Sequence, residues 1–340
     1  MIKELFNKLL SKVDLNLVEA KTLLDEIMNG NVNNSLLAGI LTAMRLKGVT
    51  SMEIAGFVKA MREKSLKFDI NNKDVIDVCG TGGDNSGTFN ISTAVAFVVA
   101  GVGVKVAKHG NRSISSKSGS ADVLEQLGVN INLPLEASKE AIDKIGITFL
   151  FAPSYHPAMK YVANVRKELA IRTIFNMLGP LTNPALVNKQ MIGVFSNEAA
   201  KLMAEASMYL NFEKVCFVCC EDKYDEILLN GVSNVFEYNG NGKINNYAIS
   251  NESFGYTKVK LIDIKGGSAE TNANIIRDIF SGKKTKGCFT TVTANAAMAL
   301  YCSNFSKDLM ICKNAAEESI LSGKAKSKLE QLIELSNNYR

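Results

Sequence analysis

The chain has 340 residues, 46% hydrophobic and 21% charged, with only 5 prolines. Such a length suits about two domains, or one large α/β unit with a satellite, and the apolar share excludes a disordered or collagen-like polymer. Lys plus Arg outnumber Asp plus Glu by 39 to 34, a net charge of +5 spread along the chain, which accommodates anionic ligands without demanding nucleic acid.

Residues 1 to about 68 read as helices only. Ile2, Leu5, Phe6 and Leu9 form a first apolar stripe. Asn16 with Glu19 has capping-box spacing for a second helix that ends at Asn29-Gly30. A third helix is predicted over Leu36–Lys47, and Thr50 with Glu53 opens a fourth. Each has one apolar face, so the four should pack as a small bundle.

The pattern changes near Asn71-Asn72. Val75–Cys79 reads as a strand, Ala94–Ala100 as helix, and Val104–Ala107 as strand. Helices follow near 119–127 and 135–145, with strands at Thr148–Phe151, Met191–Phe195 and Val215–Cys220. This alternation predicts an α/β fold with a mostly parallel sheet. The stretch Pro157–Met177 reads as helical again, closed by a rigid turn at Gly179–Pro184. The last third is predicted to be mostly helical, with polar turns at 239–242 and 266–267. The basic cluster Lys283, Lys284 and Lys286 reads as a solvated loop.

Most of the seven cysteines lie in apolar runs and read as reduced. Cys216 and Cys219, three apart on a predicted strand, point to opposite faces and cannot clamp one metal. The charged start of the chain does not read as a signal peptide, and the longest apolar run, Ala94–Val104, is too short to span a bilayer. The expectation is a cytoplasmic protein.

The strongest chemical signal is Asp77-Val-Cys-Gly-Thr-Gly-Gly-Asp84 between a strand and a helix. Glycines 80, 82 and 83 permit tight turning and close ligand approach. The following helix offers unpaired N–H groups flanked by Thr88, Asn90, Ser92 and Thr93. That is a phosphate-binding arrangement, although the same residues also suit a plain glycine turn with an N-cap. The spacing matches neither GxxxxGK[ST] nor GxGxxG.

A second cluster, Lys108-His-Gly-Asn-Arg112 followed by Ser113, Ser115, Ser116, Ser118 and Ser120, is placed as a loop after the next strand, where open α/β sheets bind ligands. Its cations suit phosphate oxygens, and a solvated polar loop is the alternative. The acidic run Glu221-Asp-Lys-Tyr-Asp-Glu226 offers hard oxygen ligands for Mg²⁺, or only an acidic turn. With only His109 and His156 in the chain, a histidine-cluster metal site is excluded. In Ser154–Arg166, Tyr155 and His156 precede a helix that carries Arg166, a candidate for a bidentate carboxylate pair.

Taken together, Gly80–Asp84, Asn90-Ile-Ser-Thr93, Lys108–Arg112, Ser118–Asp122 and Leu178-Gly-Pro-Leu-Thr-Asn-Pro184 resemble the anthranilate phosphoribosyltransferase family, in order and spacing over essentially the whole chain. The resemblance implies a helical domain (1–70, with 157–184 returning to it) and an α/β domain that binds donor and metal (71–156 and 185–340), with the active site between them. It implies phosphoribosyl pyrophosphate and anthranilate as substrates, N-(5-phosphoribosyl)anthranilate and pyrophosphate as products, a place in tryptophan synthesis, and a homodimer. Neither nucleic acid nor membrane is expected as a partner.

By the same resemblance the donor is held by Gly80, Gly83, Asp84, Thr88 and Asn90, by Ile91, Ser92 and Thr93 at the helix start, and by Lys108, His109, Gly110, Asn111, Arg112, Ser113, Ser116 and Ser120. Mg²⁺ falls to Ser92, Asp225 and Glu226. Anthranilate falls to Gly80, His109, Asn111, His156, Arg166, Gly179 and Pro180, with Arg166 near its carboxylate. No general base is implied. A pyrimidine nucleoside phosphorylase shares the architecture, but Lys108–Arg112 and Asp225-Glu226 argue against it. A nucleic-acid-binding relative would need a basic groove that the dispersed charge does not suggest.

Overall fold

The computed structural model describes residues 1–70, 74–84, 86–113, 117–285 and 287–339. Ser115, Ser116 and Lys286 therefore lie outside the described residues.

Four helices open the chain: α1 (Ile2–Leu10), α2 (Leu17–Met28), α3 (Asn34–Lys47) and α4 (Ser51–Lys64). Both expected capping boxes form, Asn16 with Glu19 and Thr50 with Glu53. The α/β part begins with β1 (Val75–Gly80), α5 (Ile91–Val102), β2 (Lys105–Gly110), α6 (Ser120–Leu127) and α7 (Leu135–Glu140). It continues through β3 (Ile147–Phe151), α8 (Ala152–Tyr155), α9 (Lys160–Leu169), α10 (Phe175–Leu181), β4 (Lys189–Gly193), α11 (Asn197–Ser207) and β5 (Lys214–Cys220). Then come β6 (Ser233–Tyr238), β7 (Ile244–Ile249), α12 (Ala269–Phe280), α13 (Cys288–Cys302), α14 (Leu309–Leu321) and α15 (Lys324–Asn337).

The seven-stranded sheet has the order β3-β2-β1-β4-β5-β6-β7. Strands β1 to β5 are parallel, and β6 and β7 are antiparallel. One core cluster lies between the sheet and α5, α13, α14 and α15. Helix α5 is apolar nearly all round, as a helix enclosed by other helices requires. The other large cluster joins the bundle to α11 and the opposite sheet face, and it takes in Val162 and Val165 of α9 and Phe175 of α10.

One expectation is extended and two are corrected. The last third is mostly helical but also holds β6 and β7, a hairpin whose turn is the Asn239–Gly242 segment. The helical stretch 157–177 breaks where Ala170 takes a left-handed φ of 50°. Gly179 and Pro180 lie inside α10 rather than in a turn, since a proline in this short helix forfeits few internal bonds. Cys216 and Cys219 are buried on opposite faces of β5, and among the described residues no cysteine forms a disulfide. Among the described residues no helix is long and apolar enough to cross a membrane.

Candidate active site

Strand order reverses between β1 and β4, and the crevice at the carboxyl ends of those strands is where such sheets bind ligands. Gly80 and Gly193 end the two strands as register partners. Asp225 lies directly over both. A Cβ on Gly80 would stand 2.6 Å from Asp225 Oδ2, and one on Gly193 would stand 1.6 Å from the Asp225 carbonyl oxygen. Beyond β1 the chain turns through Gly82 and Gly83, with φ of 66° and 73°, values that favour glycine. The Gly82 N–H donates to Asp225 Oδ2 at 2.6 Å. Arg172 donates to the Gly83 carbonyl and stacks over Phe195 at 4.3 Å.

Carboxylates gather under this loop. Burial, then the facing Asp84 carboxylate, push Asp225 up to about 7, while the Gly82 N–H pulls it down. Burial and the charges of Asp225 and Asp84 hold Glu226 well above the usual carboxylate range, and Lys108 and the Ser92 N–H oppose them. Asp84 Oδ1 accepts from Ser86 N–H and Oγ, whereas its Oδ2 is buried beside Asp225 with no N–H or hydroxyl donor among the described residues. Lys108 is 3% exposed and donates to the Val78 carbonyl at 2.6 Å and to Ser92 Oγ at 3.4 Å. Burial lowers its pKa, with Asp77, Cys79 and Glu226 acting the other way.

Glu226 thus faces the buried ammonium of Lys108 while Asp225 and Asp84 crowd each other, and one Asp84 oxygen has no N–H or hydroxyl donor among the described residues. Hard oxygens with surplus negative charge suit Mg²⁺. Among the described residues no three ligating His, Cys, Asp or Glu side chains converge into a ready coordination shell. Mg²⁺ commonly takes one or two carboxylates and completes its octahedron with water and substrate phosphates, so the residues fit that ion.

At the start of α5 the N-cap Asn90 makes no side-chain cap bond, because its amide instead donates to the Ser118 carbonyl and accepts from Asn272. Ile91 and Thr93 are fully buried and Ile91 is core, so only backbone from Ile91 can face a ligand. Ser92 meets Lys108 and Glu226, and Thr88 Oγ1 lies 3.0 Å from Ser86 Oγ.

Lys108, His109 and Gly110 belong to β2 itself, not to a loop after it. Strand alternation turns Lys108 toward α5 and His109 to the opposite face. Gly110 has no room for a side chain, since its Cβ would lie 2.3 Å from Ser120 Oγ. Ser120 Oγ donates to the Asn111 carbonyl. Arg112 is exposed and forms a bidentate pair with Glu125 and a further bond to Asp122, whose carboxylate also accepts the Ser113 N–H.

On the opposite face the His109 and His156 rings lie 5.3 Å apart between centroids. Burial lowers His109 to about 3, with His156 adding to it and a bond to the Gly179 carbonyl opposing. Burial lowers His156 to about 4, opposed by a bond to the Thr182 carbonyl. Both Nε2 atoms are buried with no hydrogen-bond partner among the described residues. Gly179 is exposed and its missing side chain faces open space. Arg166 on α9 stacks over Phe175 at 5.2 Å. Its guanidinium is half-buried, which lowers its pKa, and it makes no ion pair or hydrogen bond with any described residue.

Of the acidic run only Asp225 and Glu226 reach the crevice. Glu221 accepts from Val232 N–H and Asp222 from Asn197 N–H, bracing the turn. Supporting residues escaped the sequence reading. Asn295 holds Ile227 at both N–H and carbonyl, fixing the backbone beside Glu226. Gln190 and Asn183 hold Asp77. Asn295 and Gln190 signal themselves only as polar residues within apolar runs, and Asn183 only as a member of the Leu178–Pro184 motif.

Residues 3–65 match the family model described as "Glycosyl transferase family, helical bundle domain", and residues 72–326 the one described as "Glycosyl transferase family, a/b domain". The chain is 46% identical to a curated relative from Thermoanaerobacter sp. (strain X514) named anthranilate phosphoribosyltransferase, over 98% of each chain. A crystal structure of that enzyme from Thermus thermophilus superposes with a TM-score of 0.92 at 39% identity, over 98% of this chain and 99% of the other. The Saccharomyces cerevisiae enzyme "in complex with PRPP and Mg" gives 0.91 at 28% identity, over 99% and 98%. With such identity along nearly its whole length, and the bundle and α/β parts in the same order, the chain belongs to the anthranilate phosphoribosyltransferase family.

Proposed function

We propose that this protein transfers the 5-phosphoribosyl group from phosphoribosyl pyrophosphate to the amine of anthranilate, releasing pyrophosphate, as a step of tryptophan synthesis. The observation that carries the reading is the surplus of buried carboxylate beneath the glycine loop, together with an Arg166 that has no counter-ion among the described residues. The donor half takes the glycine loop, the start of α5 and Lys108. Ser92, Asp225 and Glu226 hold Mg²⁺, which when bound supplies positive charge to the departing pyrophosphate. Lys108 adds a fixed ammonium to the same charge, and its low-dielectric setting strengthens that stabilisation.

Arg166 pairs with the acceptor carboxylate, the open face at Gly179 receives the ring with Pro180 buried behind it, and His109 and His156 line the approach. The amine then attacks the ribose C1 from the face opposite pyrophosphate, giving inversion. Much of the rate gain is positioning. The protein acts as a cytoplasmic homodimer. The apolar side chains of Leu10, Val18 and Leu46, exposed on or beside the bundle helices, suit a second copy there.

The test is a fluorescence assay with both substrates, with Mg²⁺ and with a chelator. Turnover should need both substrates and the metal, and Arg166→Ala should raise the anthranilate KM about tenfold or more with little change for the donor. An inactive complete mixture would refute the proposal. Light scattering that found only monomer would refute the dimer.

A further inference from the structure

Asp77 lies in the middle of β1, fully buried, and is not among the residues assigned to either substrate above. Burial raises its pKa, and the charge of Lys108 and three hydrogen bonds oppose that rise. Its Oδ1 accepts the backbone N–H of His109 at 3.1 Å. Its Oδ2 accepts from Asn183 Nδ2 at 2.9 Å and Gln190 Nε2 at 3.1 Å. Both amides reach further: Asn183 Nδ2 to the Ala107 carbonyl at 2.8 Å, and Gln190 Nε2 to the Pro180 carbonyl at 2.9 Å. Asn183 Oδ1 also accepts the Ala185 N–H at 2.9 Å. One carboxylate thus ties β1, β2 and β4 to the segment 180–185.

That segment carries the acceptor wall. The Gly179 carbonyl lies near enough to the His109 ring to oppose the lowering of its pKa, as the Thr182 carbonyl does for His156, the two rings lie 5.3 Å apart, and Asp77 itself holds the His109 backbone N–H. Thr182 closes back on Gly179 through its N–H at 3.3 Å and its hydroxyl at 3.0 Å. A buried carboxylate without a touching cation is expensive to keep, and apolar residues of similar size would pack more cheaply. A satisfied buried network instead specifies one geometry.

We propose that Asp77 is a positioning residue for the acceptor half of the site, anchoring the Gly179–Asn183 wall and, through its carbonyls, the orientation of both imidazoles. The assignment of that wall to the acceptor rests on the function proposed above. The link from Asp77 to the imidazoles does not, and it can be read without turnover.

Because His109 and His156 are the only histidines, long-range ¹H–¹⁵N spectra report on two rings. Asp77→Asn sets an amide N–H against at least one donor. The wild type should show each ring in one fixed tautomer, and the variant should show averaged tautomers in both. The anthranilate KM should rise about tenfold and the donor KM change less than about threefold. If Asp77→Asn does not fold, Gln190→Met, which breaks the Asp77 and Pro180 bonds while keeping the volume, decides on the same readings. A folded variant with wild-type ring spectra, or with equal rises in both KM values, overturns the proposal. Altered ring spectra in a wild-type background that shows no anthranilate turnover would uphold the Asp77 link and refute only the function.

Discussion

Gly193 tests the carboxylate site without altering any charged group. In Gly193→Ala the new methyl would sit 1.6 Å from the Asp225 carbonyl oxygen and 2.5 Å from its carbonyl carbon. These are backbone atoms and cannot swing aside as a side chain tip can. Restoring van der Waals contact requires the Asp225 segment to retreat by about 2 Å. That displacement breaks the 2.6 Å bond between Gly82 N–H and Asp225 Oδ2, so the glycine loop and the carboxylate part company. A misplacement of ~1 Å near the chemistry can cost ~100-fold, so turnover should fall at least that far. Overpacking should cost only about 1 to 3 kcal/mol of stability, leaving a folded protein. Steady-state fluorescence for kcat and a thermal melt make the pair of measurements. A folded variant with wild-type kcat would show that Asp225 does not work from over the β4 terminus.

Gly179→Ala should behave differently. It meets nothing within 4 Å and lies within a helix, so the melt should hold or gain up to about 1 kcal/mol while the anthranilate KM rises because the methyl occupies the slot. Asp225→Asn should lower turnover steeply yet stabilise the metal-free protein. Since the folded pKa is raised from 3.8 to about 7, the stability of Asp225 is intact below about pH 4 and lost as pH climbs through 7. The melting-temperature gap in favour of the variant should therefore widen between those values and then level off. A gap that stays constant with pH would contradict the shared-carboxylate reading. His156, held neutral down to about 4, acts in the opposite sense. The unfolded chain binds its proton near 6.5, so this residue destabilises the fold as pH falls from 6.5 toward 4, and His156→Gln should flatten the acid limb of a melt-against-pH series.

The bundle, the parallel strands and the glycine loop were legible because each is written locally, in capping boxes, β-branched runs and glycines at close spacing. The hairpin was not. β7, Ile244-Asn-Asn-Tyr-Ala-Ile249, is half exposed at a sheet edge and carries two asparagines, so it lacks the apolar density that marks a buried strand. Its polar Asn239–Gly242 link reads equally as a turn between helices. Lys108 and His109 look like a loop because they are polar, but each is buried by a different layer, and that is tertiary information. Asp77 finds its partners 106 and 113 residues away, beyond any local pattern. The motif resemblance supplied the roles of Arg166, Asp225 and Glu226, which their own neighbourhoods in sequence left ambiguous.

The alternation along β2 acts as a molecular ruler. In the function proposed above, Lys108 serves the sugar donor and its immediate neighbour His109 the aromatic acceptor, from opposite faces of one strand. The two roles would then be separated by a single backbone step of about 3.3 Å. Inserting or deleting one residue upstream in this strand would exchange the two faces, delivering the imidazole to the phosphates and the ammonium to the ring. Divergence toward other acceptors is accordingly open through α9 and α10, while length changes in β2 are closed to it.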